Sequence, residues 1–149
     1  MLDIYKHTNS NKEKIFEKVL NAIAPYKYRN TRYHVDFSLV AVYCEEPFIV
    51  DLEILQNKLR KTDTLVYIND NLCCIVLDGI AEEACEKAAE NFNYHLLQIH
   101  ANYKYYLSAT DSKNCDAKYT NMIQSLFERL EYAIKNNLQN IVIYQDFVI

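Results

Sequence analysis

The stretch that most constrains the fold is Arg60–Asp78, which reads R-K-T-D-T-L-V-Y-I-N-D-N-L-C-C-I-V-L-D. Two apolar runs, Leu65–Ile68 and Leu72–Leu77, flank Asn69-Asp70-Asn71. Short runs rich in Val, Ile and Tyr between turn residues read as strands. Asn and Asp enter the left-handed backbone region more readily than other non-glycine residues, which suits them to a tight turn. The segment therefore predicts a β-hairpin, placed near the middle of a sheet.

The flanking chain supplies the rest of the sheet and its cover. Ser10-Asn11-Lys12-Glu13 fits a helix capping box, and Ile15, Phe16, Val19, Leu20 and Ile23 recur on one helical face up to Pro25. Tyr26–Tyr33 reads as a polar linker, so residues 1–30 hold an N-terminal helix and linker. In Val35–Cys44, Val35, Phe37, Leu39, Ala41 and Tyr43 share one face, while Val40, Val42 and Cys44 occupy the other. Apolar residues on both faces predict a central strand covered on both sides. Glu45-Glu46-Pro47 ends it, and Asp51 stands where it can cap a short helix bearing Leu52, Leu55 and Leu59.

After Gly79, a helix over Ala81–His100 is expected to bury Ala81, Ala84, Cys85, Ala88, Phe92, Leu96 and Ile99. Tyr103–Thr110 reads as a strand and Asp111–Lys118 as a polar loop. Tyr119–Asn136 reads as a helix with Met122, Ile123, Leu126, Phe127, Leu130 and Ile134 inward. Ile141–Tyr144 closes the sheet, with room in Gln145–Ile149 for an extension. Without the terminal additions the order is β-α-β-β-α-β, a ferredoxin-like arrangement. The expected class is α+β, a sheet of about five strands with helices packed on it, in one domain over 1–149.

Composition removes several chemistries. Gly79 is the only glycine, so there is no Gly-rich phosphate loop, no dinucleotide-binding glycine fingerprint and no G-x-S-x-G nucleophile elbow. The net charge of -4 counts against a nucleic-acid binder, whose footprint is basic. No run of about twenty apolar residues and no signal-peptide pattern occurs, so a cytoplasmic chain without membrane insertion is expected. The five cysteines, Cys44, Cys73, Cys74, Cys85 and Cys115, show no C-x-x-C spacing. They read as reduced, mostly buried small hydrophobes, with Cys115 in the polar loop the most open to solvent. Cys73 and Cys74 alternate across a strand, and His95 and His100 are five apart on one helix, so neither pair makes a metal site. His7 and His34 have no catalytic context, and no metal or cofactor is expected.

Two motifs carry a resemblance. Arg60-Lys61-Thr62-Asp63 stands just ahead of Asn69-Asp70-Asn71-Leu72-Cys73. Glu131-Tyr132-Ala133-Ile134-Lys135-Asn136-Asn137-Leu138-Gln139-Asn140 precedes the closing strand. In their joint order and spacing they resemble the GGDEF domain of diguanylate cyclases, a nucleotidyl-cyclase-like version of the ferredoxin-like fold. That family places R-x-x-D before a hairpin tipped by G-G-D/E-E-F, and later L-Y-x-A-K-x-x-G-x-N before a strand. Tyr132, Lys135 and Asn140 fall in register with the second motif, while Asp3 through Phe16 only faintly echoes the family's opening.

The departures shape what the resemblance implies. The two signature glycines, which let backbone approach a guanine nucleotide, are Asn69 and Asp70. The signature acids are Asn71 and Leu72, an amide and an alkyl group that supply no anionic oxygen to magnesium. Cys73 ends the degenerate signature. The family's other metal carboxylate stands at the end of the first strand, where this chain has Val42-Tyr43-Cys44, with Glu45 and Glu46 just beyond. Glu45–Asp51 is too short for the family's F-K-x-x-N-D and G-H-x-x-G-D segments, and a late arginine is Gln139. Phosphoryl transfer needs metal ions and fixed cations against the phosphate charge.

The resemblance with these losses implies a catalytically inactive regulatory module. It would bind another signalling protein or itself, a role that exposed tyrosines suit. The alternative it implies is a cyclic di-GMP receptor, with Arg60 reading a guanine edge or phosphate and Asp63 accepting from guanine. Set against this, Arg60 also reads as the end of a helix and Asp63 as the opening of the hairpin. Lys135 is either a residual phosphate contact or a cation in a helix's last turn.

Overall fold

The strand Phe37–Cys44 (β1) lies at the centre of the molecule, with all eight residues buried. The computed structural model describes residues 12–48, 52–113 and 119–145. The other strands are Thr64–Asn69 (β2), Leu72–Asp78 (β3), Tyr105–Asp111 (β4) and Val142–Ile143 (β5). They form one sheet in the order β2-β3-β1-β4-β5. β1 runs antiparallel to β3 and β4, β2 antiparallel to β3, and β5 parallel to β4. This is the expected α+β, ferredoxin-like arrangement with a fifth strand added.

The alternation read in β1 sorts the core into two layers. Phe37, Leu39, Ala41 and Tyr43 face Lys12–Ala22 (α1), Ala24–Tyr33 (α2) and Tyr119–Lys135 (α5). Val40, Val42 and Cys44 face Leu52–Gln56 (α3) and Glu83–Ile99 (α4). α5 buries all six expected residues and Ala133. Each such large apolar side chain contributes about 1.5–3 kcal/mol by leaving water. Among the described residues no helix is long and apolar enough to cross a membrane.

Several expectations need correction. The hairpin does not lie mid-sheet: β2 is an edge strand, and β1 holds the middle because both β3 and β4 pair with it. Tyr26–Tyr33 is not a linker but most of α2. Pro25 sits in the first turn of α2, where its fixed φ suits a helix and its missing N–H had no partner to lose. α2 ends at His34, whose φ of 58° is the left-handed cap and whose N–H donates to Asn30 O. In α4 the buried set is Cys85, Ala89, Phe92, Asn93 and Leu96; Ala84 is exposed, and Ala81 precedes the helix, which starts only at Glu83. Asp111 belongs to β4, not to the loop, and is buried, accepting from the backbone N–H of Glu82 and of Lys113. The expected Ser10 capping box, the Asp51 cap, Cys115 and the extension past Gln145 lie outside the described residues.

Candidate functional site: the hairpin tip and the Arg60 turn

At the tip, β2 ends with Asn69 and β3 begins with Leu72. The expected left-handed residues are absent from it; the positive-φ non-glycine residues described are His34, Glu82, Asn137 and Asn140. The chain reverses instead through an Asx turn, Asn71 N–H donating to Asn69 Oδ1 at 2.7 Å, with an irregular register between Tyr67 and Asn69. Asp70 is exposed and accepts from the Tyr67 hydroxyl at 2.9 Å, a bond that raises the phenol pKa.

The tip is joined to the loop that follows β1. Asn71 Nδ2 donates to the carbonyls of Cys44 (3.1 Å) and Glu45 (2.8 Å). Cys44 N–H donates to Asn71 O at 3.0 Å, and Phe48 N–H to Asp70 O at 2.9 Å. Four hydrogen bonds thus close the loop onto the tip, and Asn69 and Asn71 are 8% and 6% exposed. Leu72 and Cys73 are fully buried, so these two residues belong to the core. Glu45 and Glu46 are exposed, and Glu46 accepts from the Cys44 thiol, which burial pushes up to about 11. Burial likewise raises Cys73, and carries Cys74 and Cys85 up to about 12. Among the described residues no three His, Cys, Asp or Glu side chains converge as a metal site would require.

The Arg60 turn stands at the opposite end of the hairpin, beside the start of β2 and the end of β3. Asp63 Oδ1 accepts from Arg60 Nη2 (2.8 Å) and Asp78 N–H (3.0 Å). Its Oδ2 accepts from Arg60 Nε (3.0 Å) and Arg60 N–H (3.1 Å). Arg60 Nη2 also reaches Asp78 O at 2.6 Å, and Asp78 pairs with Arg29 at 3.1 Å. The Asp63 side chain is 3% exposed and that of Arg60 54%. The hydrogen bond to Asp63 raises the Arg60 guanidinium pKa. Arg60 does not end a helix, because α3 stops at Gln56 and turns intervene.

The structure therefore brings Arg60 and Asp63 together, and Asn69 to Leu72 with the β1 loop, but separates these two groups along the hairpin. Lys135 is exposed in the last turn of α5 and forms no ion pair with a described residue. Sequence reasoning missed Asp78, whose backbone N–H and carbonyl complete the Arg60 turn, and missed the closure of Phe48 onto Asp70. Backbone partners leave no residue-type signal.

No family model matches the chain, and no curated protein matches it by sequence. Its fold is that of solved GGDEF domains. The active GGEEF domain of a diguanylate cyclase from Vibrio cholerae matches with a TM-score of 0.68 at 15% identity, over 89% of this chain and 97% of that one. A diguanylate cyclase from Pseudomonas aeruginosa, in complex with its activator, matches with a TM-score of 0.65 at 10% identity, over 87% of this chain and 57% of that one. A Caulobacter crescentus GGDEF domain in complex with cyclic di-GMP matches at 0.57 and 10% identity, over 97% and 96% of the two chains.

Proposed function

We propose that this chain is a GGDEF-fold signalling domain that makes no cyclic dinucleotide and acts by binding, either to another signalling protein or to a second copy of itself. The observation that carries the reading is the closure at Asn71, whose amide donates to Cys44 O and Glu45 O where a cyclase would present a carboxylate. Leu72, at the other acidic position, is fully buried and apolar. With no glycine at the tip and no anionic pair, neither magnesium nor a guanine nucleotide finds its usual partners. Binding is supported by a surface cluster on α2: Tyr28 and Tyr33 are 59% and 61% exposed, meet edge-on at 6.3 Å, and Arg32 lies over Tyr33. A cytoplasmic setting fits such a domain.

Purified protein incubated with GTP and Mg²⁺ or Mn²⁺ should yield no cyclic di-GMP above a mock preparation; product above mock refutes the loss of catalysis. Size exclusion with light scattering and a pull-down test the binding half, which a strictly monomeric protein that captures nothing would contradict.

Reception of cyclic di-GMP by Arg60 and Asp63 is a second reading, favoured by their side-by-side placement and by the cyclic di-GMP complex among the structural neighbours. It requires Asp63 to give up some of the four bonds it accepts within the turn. Calorimetric titration of wild type and Arg60→Ala decides it, and absence of heat with wild type ends it.

A further inference from the structure

Charge is divided unevenly over α1, α2 and α5, the helices that cover one face of the sheet. α2 carries Lys27, Arg29 and Arg32 and no acid. Arg29 pairs with Asp78, and Lys27 lies over the ring of Tyr119. Arg32 is exposed and forms no ion pair with a described residue. It lies over Tyr33, whose ring meets that of Tyr28. Tyr28, Arg32 and Tyr33 thus form an outward knob with an aromatic body and a positive charge.

A groove of the opposite character lies on α1. It has a volume of about 520 Å³ and a floor of half-buried Phe16 and Leu20, with Lys12, Glu13 and Glu17 around them. From Lys12 and Phe16 a narrow cleft of about 30 Å³ continues to α5, where Glu128 and Glu131 stand. All four glutamates are exposed, and none forms an ion pair with a described residue. Glu128 accepts from Gln124 at 3.0 Å. Four carboxylates and one lysine around an apolar floor suit a partner that brings aromatic surface and positive charge. No described residue of α2 lines the groove or the cleft, so the knob does not fill the groove of its own chain.

We propose that the α2 knob of one copy docks in the α1–α5 groove of a second copy. The rings of Tyr28 and Tyr33 lie on the partner's Phe16 and the partner's Leu20. The Arg32 guanidinium faces the partner's Glu13 and the partner's Glu17. Tyrosine and arginine are the residue types that most often dominate binding energy at protein interfaces, and the charge match sets orientation. Knob and groove are different surfaces, so every copy offers both halves of the contact. The inference rests on the self-association proposed above and assigns its surfaces; it does not depend on the loss of catalysis.

Sedimentation velocity over a concentration series up to about 1 mM tests the proposal. Wild type should self-associate, and more weakly as salt rises. Arg32→Glu alone, Tyr28→Ser alone, and Glu13→Lys combined with Glu17→Lys should each weaken association by about tenfold or more. All these positions are exposed, so circular dichroism should show the fold unchanged. An equal mixture of the Arg32→Glu protein and the Glu13→Lys, Glu17→Lys protein should restore association to within about threefold of wild type, because the intact knob of one meets the intact groove of the other. The proposal is overturned if either charge reversal leaves association unchanged, or if the mixture stays as weak as its components. That result removes these surfaces and leaves self-association standing. A wild-type protein that is monomeric at every concentration overturns the proposal and the self-binding reading together.

Discussion

Asn71→Ala removes the amide that closes the hairpin tip while leaving the backbone of the turn in place. Two bonds are lost, to Cys44 O at 3.1 Å and Glu45 O at 2.8 Å, in a site only 6% exposed. The Asx-turn bond from Asn71 N–H survives, as do the backbone bonds of Cys44 and Phe48. At about 0.5–1.5 kcal/mol net per hydrogen bond, the expected loss is about 2 kcal/mol. For a chain near 150 residues this lowers Tm by about 4–8 °C, at roughly 2–4 °C per kcal/mol. Asn71→Asp should be worse than Ala. It keeps the shape of the side chain, but aims carboxylate oxygens at two carbonyls where a donor is required. Urea unfolding followed by circular dichroism, with the slope m checked for constancy, measures both variants. A loss under about 0.5 kcal/mol for Asn71→Ala, on a bond scale of about 1 kcal/mol, would refute the claim that the amide holds the tip closed. An Asp variant as stable as wild type would refute it equally.

The turn at Arg60 gives an ordering: Asp63→Ala strips partners from two backbone N–H groups and should cost about 2–3 kcal/mol, whereas half-exposed Arg60→Ala should cost about 1 kcal/mol or less, both by denaturant melts. Gly79 has a φ of 69° with nothing within 4 Å of an added Cβ, so Gly79→Ala should cost about 1–2 kcal/mol from left-handed backbone alone, and Gly79→Asn less. Because burial lifts Cys44 to about 11 and Cys74 and Cys85 to about 12, their thiolates are scarce at pH 8. In the native protein an alkylating reagent with mass-spectrometric mapping should modify Cys44, Cys73, Cys74 and Cys85 only at the rate of unfolding, and faster as pH rises toward 11.

Alternation in β1 and the helical stripe of α5 were legible in the sequence because burial on a strand or helix repeats at a fixed period. Position in the sheet was not. Leu72–Leu77 is apolar on both faces and so reads as central, but β2 beside it carries exposed Tyr67 and half-buried Thr64, Leu65 and Ile68, as an edge strand does. α2 was hidden because A-P-Y-K-Y-R-N-T-R-Y buries only Tyr26; the helix is held by Pro25 at its start, His34 at its end and packing of its inner edge, none of which has a period. In the candidate site, the residue types at the hairpin tip and in the Arg60 turn were readable. What Asn71 does with its amide depends on backbone carbonyls brought across the sheet by the β1–β3 register, and two of the four bonds that Asp63 accepts come from the backbone of Arg60 and Asp78.

GTP with Mg²⁺ titrated into ¹⁵N-labelled protein probes whether the tip, closed on the β1 loop by Asn71, admits a nucleotide. The Asn71 side-chain NH₂, bonded to Cys44 O and Glu45 O, should exchange slowly with solvent and keep its chemical shift at saturating GTP. A saturable shift confined to Asn69–Leu72 and Glu45–Phe48, with loss of that protection, would contradict it.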